Sequence, residues 1–566
     1  MNIRKPLCLV LLLGAFAVNV HGQSVAGLSD RFWQWRAQEQ PFTNDDIPRI
    51  ERPSGFTVDW SPQAIQQRLK RLAEFEEEWK RIAPSAQSPV PEQVDYRLLG
   101  SALARVRWEL TVVKDWQRDP VFYVDQTLGS VFILLLPPAP FSEERQQEII
   151  ARFQQIPSTV RDAEVNLTDM RKPFVQLGVD ALDHVAERVK RTEDGLASQF
   201  SERNFKALHE AVTPAVKALE QYQGWLEAAL PSARTETAIG RDNYDYFLRN
   251  VALLPYTPEQ LLAMGSEERS RSVAFEAYQE ERLAGKPAAP IFSSASEQIK
   301  AEREDEEKVR AFLVENKILT VPASMKHYHN LLLPTYLEPL EDLGVTDDLT
   351  GPSRLQEDGI SYIRKPSPDL GFFHLSTARD PRPIIVHEGV PGHYFQLCLS
   401  WSHPDPIRRH YYDSGANEGI GFYAEEMMLQ AGLFDDNPHT RETIYSFMRL
   451  RALRVEVDVK LALGEFTLQQ AADYLAATVP MDKKTALAEA AMFASTPGQA
   501  ISYQVGKLQI MDLLADAKRE QAKSFSMLKF NDSVWLNGNV PIALQRWEML
   551  GDAKDVPTPT SPDKAQ

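Results

Sequence analysis

Cysteine is almost absent from this sequence of 566 residues, which has only Cys8 and Cys398. Cys8 lies in the N-terminal segment considered below, so Cys398 has no partner for an internal disulfide. A chain of this length buries enough apolar surface to be stable without one. Cys398 follows His393 by five residues and could bind a metal, but we favour a small, buried apolar role on a helix.

An excess of positive charge is also missing. Lysine and arginine number 62 against 79 aspartates and glutamates, for a net charge of -17. Nucleic-acid binding needs a basic face to neutralise phosphates, so this class of partner is excluded. The remaining composition, 43% hydrophobic and 25% charged, is that of an ordinary globular protein.

Long apolar runs are lacking except at the N-terminus. There, Arg4 and Lys5 precede an apolar run from 7 to 18, and 20–22 offers a small-residue cleavage site. We therefore predict a signal peptide over 1–22 and a periplasmic or secreted protein without stable membrane association. A retained anchor is the alternative, whereas the residues before Cys8 match a lipidation motif poorly.

Helical periodicity dominates the rest of the chain. The stretches 61–84, 92–116 and 257–285 have apolar residues at helical spacing, and several more lie between 142 and 231. This pattern predicts a mainly α fold. We expect one large helical body over 23–552, with an N-terminal part over about 23–235 and a catalytic part over about 236–552, and a disordered tail over 553–566.

One short segment favours a β-strand instead. The sequence FFHLST, residues 372–377, is rich in aromatic and β-branched residues and precedes a proline-rich connector. Such an edge beside a zinc helix can bind substrate backbone by strand addition. A hairpin without a functional role is the equal alternative.

The central motif is IIVHEGVPGHYFQ, which contains His387, Glu388 and His393. In the zinc motif H-E-x-x-H the histidines lie four residues apart on one helical face, whereas here they lie six apart. On a regular helix they would point about 120° apart, too far to share an ion. Pro391 cannot continue the helix and Gly392 accepts unusual backbone angles, so we predict a widened or broken helix that brings both imidazoles together.

A third ligand is expected on the next helix. Glu418 follows His393 by 25 residues, and its neighbours Gly419 and Gly421 permit close helix packing. Glu425 lies seven residues further on the same face and could orient a histidine, while Glu426 is interpreted as solvent-exposed. Two histidines and one glutamate suit catalytic zinc, one ion per chain, with Glu388 left as general base.

Transition-state stabilisation requires a further donor. Tyr503, after a Thr-Pro-Gly turn, is the candidate oxyanion donor, with Gln499 as a polar companion; a packing role for Tyr503 is the alternative. Arg451 and Asp458 belong to a helical charge set that could bind a substrate carboxylate or form structural ion pairs.

These residues resemble the domain-of-unknown-function 885 family of bacterial zinc-metallopeptidase-like proteins. The family pattern H-E-x-x-P-G-H-x-x-Q is matched through Gln396, and the resemblance extends well over about 240–515. Two later blocks match at Glu418, Gly419, Tyr423 and Glu425, and at Pro497, Gly498, Gln499, Ala500, Tyr503 and Gly506. Position 394 is Tyr where relatives often have His, and Ile420 replaces a usual Trp.

The resemblance implies a multi-helix body around a central channel, with a small β element beside the zinc helix. It also implies His387, His393 and Glu418 as zinc ligands, Glu388 as general base and Tyr503 as oxyanion donor. We therefore predict a zinc hydrolase that cleaves short peptides. A zinc amidase or esterase shares every site residue, and a non-catalytic metal-containing helical binding protein is a second alternative, against which Glu388 argues.

Overall fold

The structure is a computed structural model that describes residues 24–43, 51–57, 59–479 and 481–560. The predicted signal peptide lies outside these residues. Within them the chain is mainly helical with one small sheet, as predicted. None of the described helices combines the length and apolar character needed to cross a membrane.

In the first part of the chain the two longest helices, Glu143–Asn166 and Glu202–Ala229, pack extensively against each other. The helices of this part are α1 (Val25–Glu39), α2 (Pro62–Arg81), α3 (Val90–Arg107), α4 (Asp115–Arg118), α5 (Pro120–Val124), α6 (Ser130–Leu135), α7 (Glu143–Asn166), α8 (Lys172–Ala181), α9 (Val185–Leu196), α10 (Glu202–Ala229) and α11 (Arg241–Tyr246).

The second part carries the central motif and its surroundings. Its helices are α12 (Pro258–Leu283), α13 (Ala295–Glu315), α14 (Phe372–Thr377), α15 (Arg382–Ile384), α16 (His393–Trp401), α17 (Pro406–His410), α18 (Ser414–Ala431), α19 (Pro438–Leu463), α20 (Leu468–Thr478), α21 (Lys483–Ser495), α22 (Ser502–Gln521), α23 (Met527–Leu536) and α24 (Ile542–Leu550).

Local sequence signals account for several of these boundaries. The predicted helices at 61–84 and 257–285 correspond to α2 and α12, each preceded by a capping hydroxyl and begun by proline. Thr257 forms a complete capping box with Gln260. The predicted helix at 92–116 corresponds to α3 followed by a π-helical turn, Trp108–Val113.

The small sheet comes from a different part of the sequence than predicted. β1 (Tyr328–Leu332) pairs in parallel with β3 (Gly359–Ile363), and β2 (Asp347–Asp348) pairs with β3 in antiparallel orientation. A Cβ on Gly359 would lie 2.6 Å from the Tyr394 ring, so this glycine lets the sheet approach α16. The β element therefore does lie beside the motif.

The strand prediction for residues 372–377 was wrong, because this segment is the helix α14. Phe372 and Phe373 both pack on Phe447 of α19, and two hydroxyls in the segment bond carbonyls one turn earlier. The tertiary packing of the aromatic rings outweighs the β propensity of the sequence.

The two predicted parts of the chain share a hydrophobic core. Leu28, Leu72 and Leu98 of α1 to α3 pack with Ile407 and Leu544 from the second part. Residues 553–560, which the sequence assigns to a disordered tail, also contact the body. Thr560 exchanges hydrogen bonds with the side chain of Asn250, whereas 561–566 lie outside the described residues.

Candidate metal centre

The two histidines of the motif lie on separate elements. His387 belongs to a π-helical turn, Ile385–Gly389, and His393 is the first residue of α16. Between them Val390 is extended, and the carbonyl of Pro391 accepts a bond from Trp535 Nε1 at 2.7 Å. The predicted widening and break are both present, but the widened turn ends before His393 instead of extending to it.

Gly392 is required by the close approach of the chain to itself. A Cβ at this position would lie 1.7 Å from the carbonyl oxygen of His387, which is far inside van der Waals contact. Only glycine therefore allows the chain to fold back over the π-helical turn and begin a new helix.

This backbone path brings the two imidazoles together. Their ring centroids are 4.8 Å apart, and ligand atoms of His387, Glu388 and His393 all lie within 4.8 Å of one another. Glu418 Oε2 of α18 lies 3.7 Å from His387 Nε2 and 3.1 Å from His393 Nε2. The side chains predicted as ligands therefore lie close together, with Glu388 beside them.

Glu388 and Glu418 differ in distance and exposure. The oxygens of Glu388 remain 3.9 Å from both Nε2 atoms, and its side chain is 27% exposed. Glu418 lies closer to both histidines and is only 4% exposed. Glu418 is thus the nearer carboxylate to both imidazoles, and Glu388 lies on the more exposed side.

The charges at this point favour a cation. Burial lowers the pKa of His387, but the Glu388 charge and hydrogen bonding to Glu418 and Glu425 raise it overall to about 9. Burial raises the pKa of Glu418, yet the two histidines depress it below its usual range. Glu418 Oε2 is buried and lies beside the Nε2 atoms of both histidines. A borderline-soft set of two imidazoles and a carboxylate fits zinc.

A buried ion pair fixes the orientation of His387. Glu425 Oε1 lies 2.7 Å from His387 Nδ1, and Arg451 Nη2 lies 2.9 Å from the same oxygen. The Nε2 atom is thereby directed towards His393 and Glu418. Arg451 therefore has a structural partner, which is one of the two alternatives that the sequence leaves open.

Small residues on α18 make room for this arrangement, as the sequence suggests. A Cβ on Gly421 would lie 3.1 Å from His387 Cε1 and 3.2 Å from His393 Cε1. Two residues earlier, on another face of the helix, a Cβ on Gly419 would lie 2.7 Å from Gly506 of α22. Close contact between α18 and α22 places Glu418 beside Tyr503.

Tyr503 lies at the site and lines the same cavity as the motif. Its ring is stacked on that of His387 with centroids 6.3 Å apart, and the Arg454 guanidinium lies 4.7 Å from its centroid. Asp458 accepts bonds from Gly498 N and Ala500 N at 2.9 Å each and fixes the turn before α22. Asp458 thus positions Tyr503 indirectly.

Two other predicted site residues, Gln396 and Gln499, lie away from the ligand atoms. Gln396 is fully buried and bonds Ser400, Asn417 and Asn539, so it joins α16 to its neighbours. Gln499 lines a second, adjoining cavity.

The prediction of an exposed Glu426 was wrong, because this side chain is buried and pairs with Lys507 at 2.8 Å. Cys398 is buried and free, in an apolar cluster.

The cavity in front of the candidate metal centre has a volume of about 520 Å³. Residues from the N-terminal part and the sheet line it, including Asp347 of β2, which sequence reasoning missed. Tyr328 donates a bond to Asp347 at 3.0 Å. Burial and the Glu388 charge raise the pKa of Asp347 to about 7. No motif marks this residue, because its position depends on how β2 pairs with β3.

A second cluster of metal-ligand type contains Glu306, Glu307 and His327. His327 Nδ1 lies 2.9 Å from Glu306 Oε2, and Arg310 Nε lies 2.6 Å from Glu306 Oε1. Glu307 is 66% exposed. Arginine already neutralises the buried carboxylate here, so an ion-pair network accounts for this cluster.

Comparison with protein families gives one match. The model described as "Bacterial protein of unknown function (DUF885)" matches residues 52–549. No curated protein matches this chain.

Two solved structures share the fold. One is described as "a putative lipoprotein of unknown function" from Shewanella oneidensis; it is 17% identical, with a TM-score of 0.70 and coverage of 93% of this chain and 100% of that one. The other, "the putative lipoprotein" from Colwellia psychrerythraea, is 18% identical, with a TM-score of 0.71 and coverage of 94% and 98%. At these identities the likeness concerns the fold alone.

Proposed function

The chain belongs to the DUF885 family of bacterial proteins, and we propose that it is an exported zinc-dependent hydrolase that cleaves peptide bonds in short peptides. The observation that carries this proposal is the convergence of His387, His393 and Glu418 at the wall of a cavity, with Glu388 beside them. A purely structural metal site would not need the additional, partly exposed carboxylate.

Zinc would be held by Nε2 of His387, Nε2 of His393 and the carboxylate of Glu418. When bound, it would supply a Lewis acid that polarises a carbonyl and lowers the pKa of water. The buried pair of Glu425 and Arg451 keeps His387 in the orientation that this requires.

Glu388 would act as general base and then as general acid. Its carboxylate takes one proton from the attacking water while the oxygen adds to the peptide carbonyl. As the carbon–nitrogen bond breaks, Glu388 returns this proton to the leaving amine. The products are a carboxylic acid and an amine, with one water consumed.

Tyr503 would stabilise the negative charge that develops on the carbonyl oxygen. It lines the cavity, and its ring is stacked on that of His387. Its hydroxyl would donate a hydrogen bond to the oxyanion, and the cation above its ring makes the phenol a better donor.

Substrate backbone would bind along β2. This strand is at the edge of the sheet, and both its residues, Asp347 and Asp348, line the cavity. Strand addition at an edge recognises an extended peptide through its main chain. Strand addition is thus proposed for β2 and not for residues 372–377.

Export is supported by the N-terminal sequence and by the descriptions of the two solved relatives as putative lipoproteins. We propose that residues 1–22 direct the chain out of the cytoplasm and are removed. The mass of the mature protein distinguishes cleavage before Gln23 from retention as an anchor and from lipid attachment at Cys8.

The decisive variant is Glu388→Gln. Turnover of a short-peptide library should fall by ~10²- to 10⁴-fold, because the base is lost while the ligands remain, and the zinc content should be unchanged. The matched control is Glu307→Gln, which removes an exposed carboxylate beside a histidine elsewhere and should keep full activity. Full activity of Glu388→Gln would show that Glu388 is not the general base. Cleavage of an ester or amide set but no peptide would favour the amidase or esterase alternative.

A further inference from the structure

A second cavity of about 180 Å³ adjoins the cavity in front of the candidate metal centre, and Thr43 lines both. On α18 its lining residue Ser414 lies one helical turn before the ligand Glu418, ~6 Å along the same face. Its lining residue Gln499 precedes Tyr503 by four residues. The second cavity therefore lies next to the cavity in front of the candidate metal centre, on the side of α1 and α3.

Aromatic side chains form much of its wall. Trp33 and Trp35 of α1 contribute to one side, and Trp108 and Trp116 follow α3. Rings of this kind bind apolar and aromatic groups with large contact area. The cavity thus suits an apolar side chain of a ligand.

Most charges along the cavity cancel in pairs. Arg36 Nη2 lies 2.6 Å from Glu109 Oε2, and Arg68 Nε lies 2.6 Å from Glu39 Oε2. Burial raises the pKa of the remaining acid, Asp115, well above its ordinary value, which favours its neutral form. These groups leave little net charge.

Arg105 of α3 is the exception. It lines the cavity and is half-buried, and its side chain forms no hydrogen bond or ion pair with the described residues. It lies close enough to Tyr411, another lining residue, for its charge to act on that phenol. An unpaired guanidinium beside apolar walls has the donor geometry for a carboxylate.

Two buried hydrogen-bond donors without partners also favour a ligand that carries acceptor oxygens. Gln499 is 8% exposed and its Nε2 has no hydrogen-bond partner in the described structure, and the same holds for Nε1 of Trp60, which is 2% exposed. Both residues line this cavity. A buried donor without an acceptor is costly, so a ligand that carries acceptor oxygens would be favoured here.

We propose that this cavity binds the carboxyl-terminal end of a peptide substrate. Arg105 binds the free α-carboxylate, and the tryptophans accept an apolar or aromatic side chain of the terminal residue. This inference rests on the proposed function and deepens it, because it makes short peptides with a free carboxyl terminus the preferred substrates.

The first test compares a short peptide that ends in phenylalanine, as free acid and as carboxamide. Arg105→Gln should raise KM for the acid about tenfold or more, with kcat unchanged, and should leave the carboxamide unaffected. The matched control is Arg97→Gln: Arg97 lies on the same helix with similar burial but outside this cavity. Equal effects of Arg105→Gln on acid and carboxamide, or none on either, would contradict the proposal.

The second test measures binding without turnover. By calorimetry, the wild type should bind N-acetylphenylalanine at least about tenfold more tightly than its carboxamide. Arg105→Gln should abolish this preference, and Arg97→Gln should keep it. His393→Ala should also keep it, because the carboxylate binds away from the metal ligands.

These outcomes separate the two hypotheses. A preference that survives in Arg105→Gln, that is lost in His393→Ala, or that is absent from the wild type overturns the assignment of Arg105. If the binding preference follows Arg105 but no peptide is hydrolysed, the carboxylate site stands and the proposed peptidase activity fails.

Discussion

The structure contains two clusters of histidine and glutamate with similar composition and different surroundings. In the first, around His387 and His393, Glu418 forms no ion pair with lysine or arginine among the described residues, and a large cavity lies in front. In the second, around His327, Arg310 neutralises Glu306 directly. From this comparison we expect such residues to bind a metal only where no lysine or arginine already neutralises the carboxylate.

The largest expected effect tests this comparison directly. Glu418→Ala should lower the zinc content of the purified chain from about one ion to near zero, because one of three ligands is lost from a buried site. Glu306→Ala, in the other cluster, should leave the zinc content unchanged. Elemental analysis of both variants beside the wild type measures this.

Two results would break the comparison. An unchanged zinc content of Glu418→Ala would show that Glu418 is not the third ligand. Glu388 would then be the nearest alternative. Loss of zinc in Glu306→Ala would show that the arginine pair does not exclude a metal from the second cluster.

A smaller effect concerns the open side of the first cluster. Tyr503→Phe should lower kcat by ~10²-fold or more, because the oxyanion loses a hydrogen-bond donor. The control is Tyr423→Phe, since Tyr423 is a buried tyrosine of α18 whose hydroxyl lies 3.4 Å from Asn531 and not in the cavity. Steady-state kinetics with the best library peptide would distinguish them. An unaffected kcat in Tyr503→Phe would show that Tyr503 only packs against its neighbours.

The smallest effect tests the close packing of α18 against the two imidazoles. Gly421→Ala should weaken zinc binding ~10-fold, since its Cβ would press on both imidazoles at 3.1–3.2 Å and displace them slightly. Gly224→Ala in α10, where a Cβ would meet nothing within 4 Å, should leave zinc affinity unchanged and stabilise the fold by about 0.5–1 kcal/mol. Competition with a chelator and thermal unfolding report the two quantities. Equal zinc affinity in both variants would show that the histidines tolerate the added methyl group.

The expectations that failed share one physical reason. Glu426 is buried because Lys507, 81 residues later, reaches it from α22. Residues 372–377 are helical because α19 offers an aromatic surface to Phe372 and Phe373. Each outcome depends on a partner far away in sequence, which local propensity and periodicity cannot identify.

The sequence by itself determined the mainly helical fold and the path of the central motif. Pro391 and Gly392 act through their own backbone chemistry, and the effect of proline on a helix and of glycine on close approach is local. Capping residues and apolar spacing are local signals as well, so α2 and α12 were predicted close to their observed bounds.

Only the tertiary structure decided which residues surround the site. It brings Asp347 to the cavity through the pairing of β2 with β3, and it places Arg105 in the wall of an aromatic pocket without an ion pair among the described residues. It also neutralises Glu306 with Arg310, while the ion pairs of Glu418 among the described residues are with the imidazoles of His387 and His393. Charge balance is a property of neighbours in space, so residues of the same type become an ion pair in one place and a candidate metal centre in another.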